Sequence, residues 1–201
     1  MSVVGRAHSH LVFGRRVRVL AEALEAMIPH GGSLLDVGCG DGSIGRMIGD
    51  ARDDLSVRGI EVLVRPACHI PVEAFDGRSI PFDDDAVDFV MLVDVLHHAA
   101  DPAALLAEAA RTARAAVIVK DHTVQGLVAR PTLRFMDWFG NAHHGVALPH
   151  NYWTPCEWNT AVDGLRLSFA ARKTDIALYP FPASLVFGRG LHFVARLERR
   201  T

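Results

Sequence analysis

The feature that most constrains this chain is a short apolar run that breaks into alternating glycines. Ser33 to Val37 is short enough for a buried strand. It runs into Gly38-Cys39-Gly40-Asp41-Gly42, after which Ile44, Met47, Ile48 and Ala51 recur at helical spacing. Strand, glycine turn and helix in that order open a parallel α/β unit. Glycines at such a turn let a ligand come close to the backbone, and the following helix presents oriented N–H groups to a carboxylate.

The rest of the sequence extends that unit. Val17, Leu20, Leu24 and Met27 mark a helix that ends near Pro29, while residues 1–13 lack clear periodicity and read as an N-terminal arm. Val57–Val62 and Ile70–Phe75 read as the second and third strands. Val87–Val93 is almost continuously apolar, as a strand covered on both faces should be. Asp101-Pro102 opens a helix whose buried side carries Leu105, Leu106, Ala109 and Ala113, and Ala115–Val119 is the fifth strand.

Segment 121–153 is rich in aromatics, His and Asn, with one or two short helices ending at Gly140. Thr154-Pro155-Cys156-Glu157 is a capping box that starts a helix ending at Gly164. Two more strands, near 168–178 and 191–197, have no helix pattern between them and should pair antiparallel. The expected architecture is one α/β domain over 1–201, a Rossmann-like three-layer sandwich. Its seven-stranded sheet has five parallel strands and an antiparallel C-terminal pair.

Composition narrows the function. Half of the 201 residues are hydrophobic, 22% are charged and the formal net charge is −2. That balance argues against a nucleic-acid partner, which calls for a basic face. No apolar run approaches the roughly 20 residues of a membrane span. The start, Met1 to Arg18, lacks the uninterrupted apolar core of a signal peptide. Cys39, Cys68 and Cys156 are widely spaced and form no CxxC pair, so they read as reduced thiols in a cytoplasmic protein.

The glycine loop alone admits a dinucleotide or another nucleoside. A dinucleotide fingerprint wants G-x-G-x-x-G, but here the third glycine comes one residue early, at Gly42, and Ser43 fills the expected slot. Glu61, 19 residues after Gly42 at the end of the second strand, is placed to accept both ribose hydroxyl protons. Asp36 can accept from loop amides or water near the ligand's amino group. Asp76 can take the adenine amine while the Gly77 N–H donates to the ring. Asp83–Asp85 reads as a solvated turn.

The segments LLDVGCGDG, GIEV and FDGRSIPFDDDAVDFVMLVDVLHHAADPAALLAEAAR resemble the class I S-adenosylmethionine-dependent methyltransferases of the ubiquinone and menaquinone methylase kind (methyltransferase type 11) over roughly residues 15–120. The resemblance implies S-adenosylmethionine as methyl donor and S-adenosylhomocysteine as product. It places Asp36, Gly38, Cys39 and Gly40 at the methionine half, Glu61 and Val62 at the ribose, Asp76 and Gly77 at the adenine, and Val93 and Asp94 at the sulfonium end. Glu61 stands where aspartate is commoner and, one methylene longer, still reaches. His98 occupies a position where the family often carries a histidine.

The reaction then asks for an aligned small-molecule acceptor and, for a hydroxyl or ammonium acceptor, a base. His122 and His144 are the candidate bases. Phe13, Trp138, Asn141 and Tyr152 are the candidate acceptor contacts, within or near a lid formed by 121–153. No metal is expected, although Asp94, Asp121 and His122 offer oxygen and nitrogen ligands. The alternative is a non-catalytic or regulatory domain that keeps the nucleoside pocket. Oligomeric state is not legible.

Overall fold

The computed structural model describes the backbone of residues 3–141 and 149–200, and the side chains of 14–138 and 149–200. The chain opens with α1 (Val3–Glu25), so the stretch expected to be an arm is helical from Val3. The residues before Val17 carry no periodic apolar stripe. They include Ala, Leu and Arg, however, and lengthening an existing helix costs less than nucleating one.

Then follow β1 (Gly32–Val37), α2 (Ser43–Ala51), β2 (Leu55–Glu61), β3 (Val72–Ala74) and β4 (Val87–Val93). A 3-10 turn (Leu96–His98) leads to α3 (Pro102–Thr112) and β5 (Ala113–His122). After α4 (Ala129–Asn141) and α5 (Pro155–Gly164) come β6 (Leu167–Lys173), a short α6 (Ser184–Phe187) and β7 (His192–Arg199). Two predicted helix starts are built as expected. Asp101 accepts from the Ala104 N–H, and Thr154 with Glu157 forms a reciprocal capping box behind Pro155.

All seven strands form one sheet in the order β3-β2-β1-β4-β5-β7-β6. The first five run parallel, and β7 lies antiparallel between β5 and β6. The pleat splits the core in two. Leu34, Phe89, Met91 and Ile118 face α1 and α2, while Leu35, Val37, Val90, Leu92, Val117 and Val119 face α3 and α5. Among the described residues, no helix is long and apolar enough to cross a membrane.

One strand is longer than its sequence suggests. Apolar alternation stops at Val119, yet β5 continues through Lys120, Asp121 and His122 because β7 pairs with them, opposite Val194, Phe193 and His192. That pairing satisfies the backbone of three polar residues and holds them in the buried sheet. The strand order reverses between β1 and β4, and the crevice beyond the carboxyl ends there is where such sheets take ligands.

Candidate functional site

A cavity of about 540 Å³ opens at that switch point. At one end it is lined by Gly38, Gly40, Glu61, Val62, Asp76 and Gly77; at the other by Arg16, Asp94, His97, His98, His122, Met136, Asp137 and Tyr179.

The first end is made of backbone. Gly38 has φ +69°, and a Cβ there would stand 2.7 Å from the Val95 side chain, so the position requires glycine. Gly40, at φ +62°, has nothing within 4 Å of where its Cβ would lie. The loop is tied to β2 by the Gly38 N–H on the Ile60 carbonyl (2.8 Å).

Glu61 is preorganised by the same loop. One carboxylate oxygen accepts from the Gly40 N–H at 2.7 Å and the other from the Val62 N–H at 2.8 Å. The loop amide that the sequence offers to Asp36 is thus engaged by Glu61. Asp36 itself is buried; burial, with Glu61 nearby, pushes its carboxyl up to about 8. Asp76 is exposed, and its Oδ1 accepts from the N–H groups of Arg78 and Ser79.

The second end is made of charged side chains buried together. Asp94 ends the β4 turn in a left-handed conformation (φ +57°), sparsely populated for a residue with a side chain. Its carboxylate is clamped by the ammonium of fully buried Lys120 and by Arg16 (3.0 Å), which reaches over from α1. Burial opposes ionisation of Asp94, but Lys120, His122 and Arg16 outweigh it and hold the group well below the usual carboxylate range.

Asp121 is a hub. Its oxygens accept from the Leu96 N–H (3.1 Å), the His122 N–H (2.7 Å) and His97 Nδ1 (2.6 Å). The other nitrogen of the His97 ring faces Asp137 at 3.6 Å. Burial disfavours an imidazolium there, yet Asp121 and Asp137 raise His97 to about 10. Its neighbours go the other way. Burial and the His97 charge pull His98 to about 4, and burial and Lys120 lower His122. His97, in ring contact with both His98 and His122, is thereby favoured as the cation between two rings held toward the neutral form.

Ligand atoms of Asp94, His97, Asp121 and His122 lie within 4.8 Å of one another, a spacing a cation would accept. The chain's own charges already occupy that role. Asp94, Asp121 and Asp137 stand against Arg16, Lys120 and the His97 imidazolium.

Of the site residues expected from sequence, Gly38, Gly40, Glu61, Val62, Asp76, Gly77, Asp94 and His122 line the cavity. Asp36, Cys39 and Val93 lie behind that lining. Trp138 points outward on the solvent stripe of α4, while Met136 and Asp137 before it face inward. Tyr152 is buried with its hydroxyl on Asp137, its ring stacked on His97 at 5.5 Å, and it borders a separate shallow cavity. The side chains of Phe13 and Asn141, and all of His144, fall outside the described residues.

Arg16, His97, Asp137 and Tyr179 were not singled out by sequence. For His97 the signal was its place in a His-His pair. For Arg16 nothing in the helical pattern distinguished it from a solvated charge.

A family model described as a methyltransferase domain matches residues 10–163. An uncharacterised 37.1 kDa protein from a Streptomyces fradiae transposon is 36% identical over 110 residues, 48% of this chain and 30% of that protein. The chain therefore matches less than a third of that relative's length.

Among solved structures, an S-adenosylmethionine-dependent methyltransferase of Thermotoga maritima superposes with a TM-score of 0.67 at 18% identity, covering 98% of this chain and 96% of that one. The geranyl diphosphate C-methyltransferase of Streptomyces coelicolor gives a TM-score of 0.67 at 16% identity, over 91% of this chain and 77% of the other. The likeness of the two structures is one of fold, and the family match carries the classification. The chain belongs to the family that this methyltransferase-domain model describes.

Proposed function

We propose that this protein binds S-adenosylmethionine along Gly38, Gly40, Glu61, Asp76 and Gly77 and methylates a small molecule held against His122. The observation that carries this reading is the continuity of the cavity. One space joins the glycine loop to a wall of titratable side chains that includes Asp94.

The residues present fit the donor. The open space over Gly40 admits a ligand against the backbone, the Glu61 carboxylate is held by the loop where ribose hydroxyls would reach it, and exposed Asp76 in the same lining would take the adenine amine. The sulfonium supplies an electrophilic methyl group and a neutral leaving thioether. What remains for the chain is orientation, exclusion of water and, for a hydroxyl or amine acceptor, removal of a proton.

His122 suits the last task. Burial holds its pKa below the ordinary imidazole value, which favours the neutral ring. It borders the cavity, and Asp121 and Asp94 would stabilise the imidazolium it forms. Its backbone is locked by the Trp158 indole N–H on its carbonyl (3.0 Å). Three free thiols support a reducing, cytoplasmic setting.

The test is a screen of small-molecule acceptors by formation of S-adenosylhomocysteine, repeated with His122→Gln. The expected result is turnover that falls roughly 10²–10⁴-fold in the variant, with unchanged S-adenosylhomocysteine affinity. Tight binding without turnover on any acceptor would favour the non-catalytic cofactor-binding domain instead.

A further inference from the structure

The outer side of the lid presents an apolar face that the catalytic reading leaves unused. On α4 and the turn before it, Val128, Phe135 and Trp138 follow one another at helical spacing and all point to solvent, Trp138 with 60% of its surface exposed. Beside them, Phe181 is 78% exposed and Leu185 62%, with Val186 next to it. The two segments form one surface. Phe187 stacks near Phe135 (6.4 Å between ring centres), and Arg189 donates to the Thr132 hydroxyl at 3.3 Å. Side chains of this kind expose on the order of 500 Å² of contiguous apolar surface, more than a scatter of single hydrophobics gives.

The charges nearest that face are basic. Arg134 and Arg189 border it and are exposed, while Arg130, on the far flank of α4, stands near Glu157 at the shallow cavity. From Thr123 to Cys156 the sequence has a single acid, the buried Asp137, and from Ile176 to Gly190 it has none. Exposed aromatic and branched aliphatic side chains within a rim of arginines match an interface of acyl chains beneath anionic headgroups. The rings enter the apolar boundary while the guanidinium groups stay at the phosphates. A second copy of the chain fits less well, since a two-fold contact through this face would set the arginines against their own equivalents.

We infer that the α4–α6 face is a docking surface for an anionic lipid membrane. It is independent of the chemistry proposed for the cavity. It lies on the outside of the elements whose inner side chains, Met136, Asp137 and Tyr179, line the acceptor end. The protein therefore rests on the membrane from one side, with none of the described helices long and apolar enough to cross it.

Vesicle flotation of the 201-residue protein tests this, comparing phosphatidylcholine vesicles with vesicles that also contain phosphatidylglycerol. The expected result is binding to the anionic vesicles that weakens with salt. Binding should fall roughly tenfold or more in the double variant Trp138→Ser, Phe181→Ser and in the double variant Arg134→Glu, Arg189→Glu. Because all four side chains are exposed, thermal unfolding of both variants should match the wild type, which separates lost binding from lost fold.

Protein that stays out of the anionic vesicles at low salt would overturn the assignment. So would equal binding to both kinds of vesicle that the arginine variant leaves unchanged. A wild-type dimer in sedimentation velocity that Trp138→Ser, Phe181→Ser disperses would make the face a self-contact instead.

Discussion

The two ends of the cavity are built on opposite plans. At the end proposed for the cofactor a short stretch of backbone does the work. Three glycines in five residues make the loop, and Glu61 is oriented by N–H groups of that loop and of its own strand end. At the end proposed for the acceptor the work is done by side chains drawn from α1, the turn after β4, the 3-10 turn, β5 and α4, which meet as a largely buried set of balanced charges. The first plan tolerates loss of one group, because water can reach what is left. The second does not, since each buried charge depends on its partners.

Lys120→Met should show the largest effect. The ammonium is fully buried on Asp94, so its removal leaves that carboxylate with Arg16 and the His122 ring at the edge of the core. A stability loss of about 3–5 kcal/mol is expected in urea denaturation. A variant within about 1 kcal/mol of wild type would show that the acceptor end is as forgiving as the cofactor end.

The same network predicts a pH dependence. His97 has its folded pKa raised to about 10 from an ordinary value near 6.5. Its contribution is therefore complete below about pH 6.5 and is lost as the pH rises toward 10; at about 1.4 kcal/mol per unit this amounts to a few kcal/mol. Nitrogen NMR should find both His97 ring nitrogens protonated at pH 8, with His98 and His122 neutral. A His97 that titrates near 6.5 would break the charge balance described for this end.

The difference in plan also explains what was legible in the sequence. The glycine loop, Glu61 and Asp76 lie in local motifs whose spacing is fixed by one strand–turn–helix unit after another, so reading along the chain finds them. The antiparallel finish was visible as two strands without a helix pattern between them. The charge cluster depends on contacts such as Arg16 to Asp94, 78 residues apart, and Asp121 to His97, 24 apart, which no periodicity encodes. The strand read from sequence stops at Val119, short of Lys120-Asp121-His122, because burial of three polar residues in a strand is unfavourable until their partners from other elements are counted. Trp138 and Tyr152 were legible as large aromatics near the lid. Which way each faced was set by one residue of helical phase and by the Asp137 carboxylate, and neither can be read from a single segment.

Glu61→Ala should have an intermediate effect, confined to binding. Loss of the ribose hydrogen bonds is expected to weaken S-adenosylhomocysteine by about 1–3 kcal/mol in isothermal titration, with the unfolding midpoint little changed. Because Glu61 orients the loop through the Gly40 N–H, Glu61→Gln should recover part of the affinity. Unchanged binding by the alanine variant would remove Glu61 from the site.

The smallest effect expected is that of Tyr152→Phe, which probes how far the acceptor network extends. The hydroxyl donates to Asp137 and lies 3.1 Å from His150 Nδ1, while the ring packs on His97. Removing one oxygen leaves the stacking intact, and Asp137 keeps its ion pair with His97. The cost should therefore be that of one charge-assisted hydrogen bond, about 1–2 kcal/mol in urea denaturation. With the Asp137 carboxylate relieved of one donor, it should hold His97 more strongly, so the His97 titration should move further up. A His97 pKa that falls instead would mean that Tyr152 orders Asp137 for His97 rather than competing for it, and would place the tyrosine inside the network instead of at its rim.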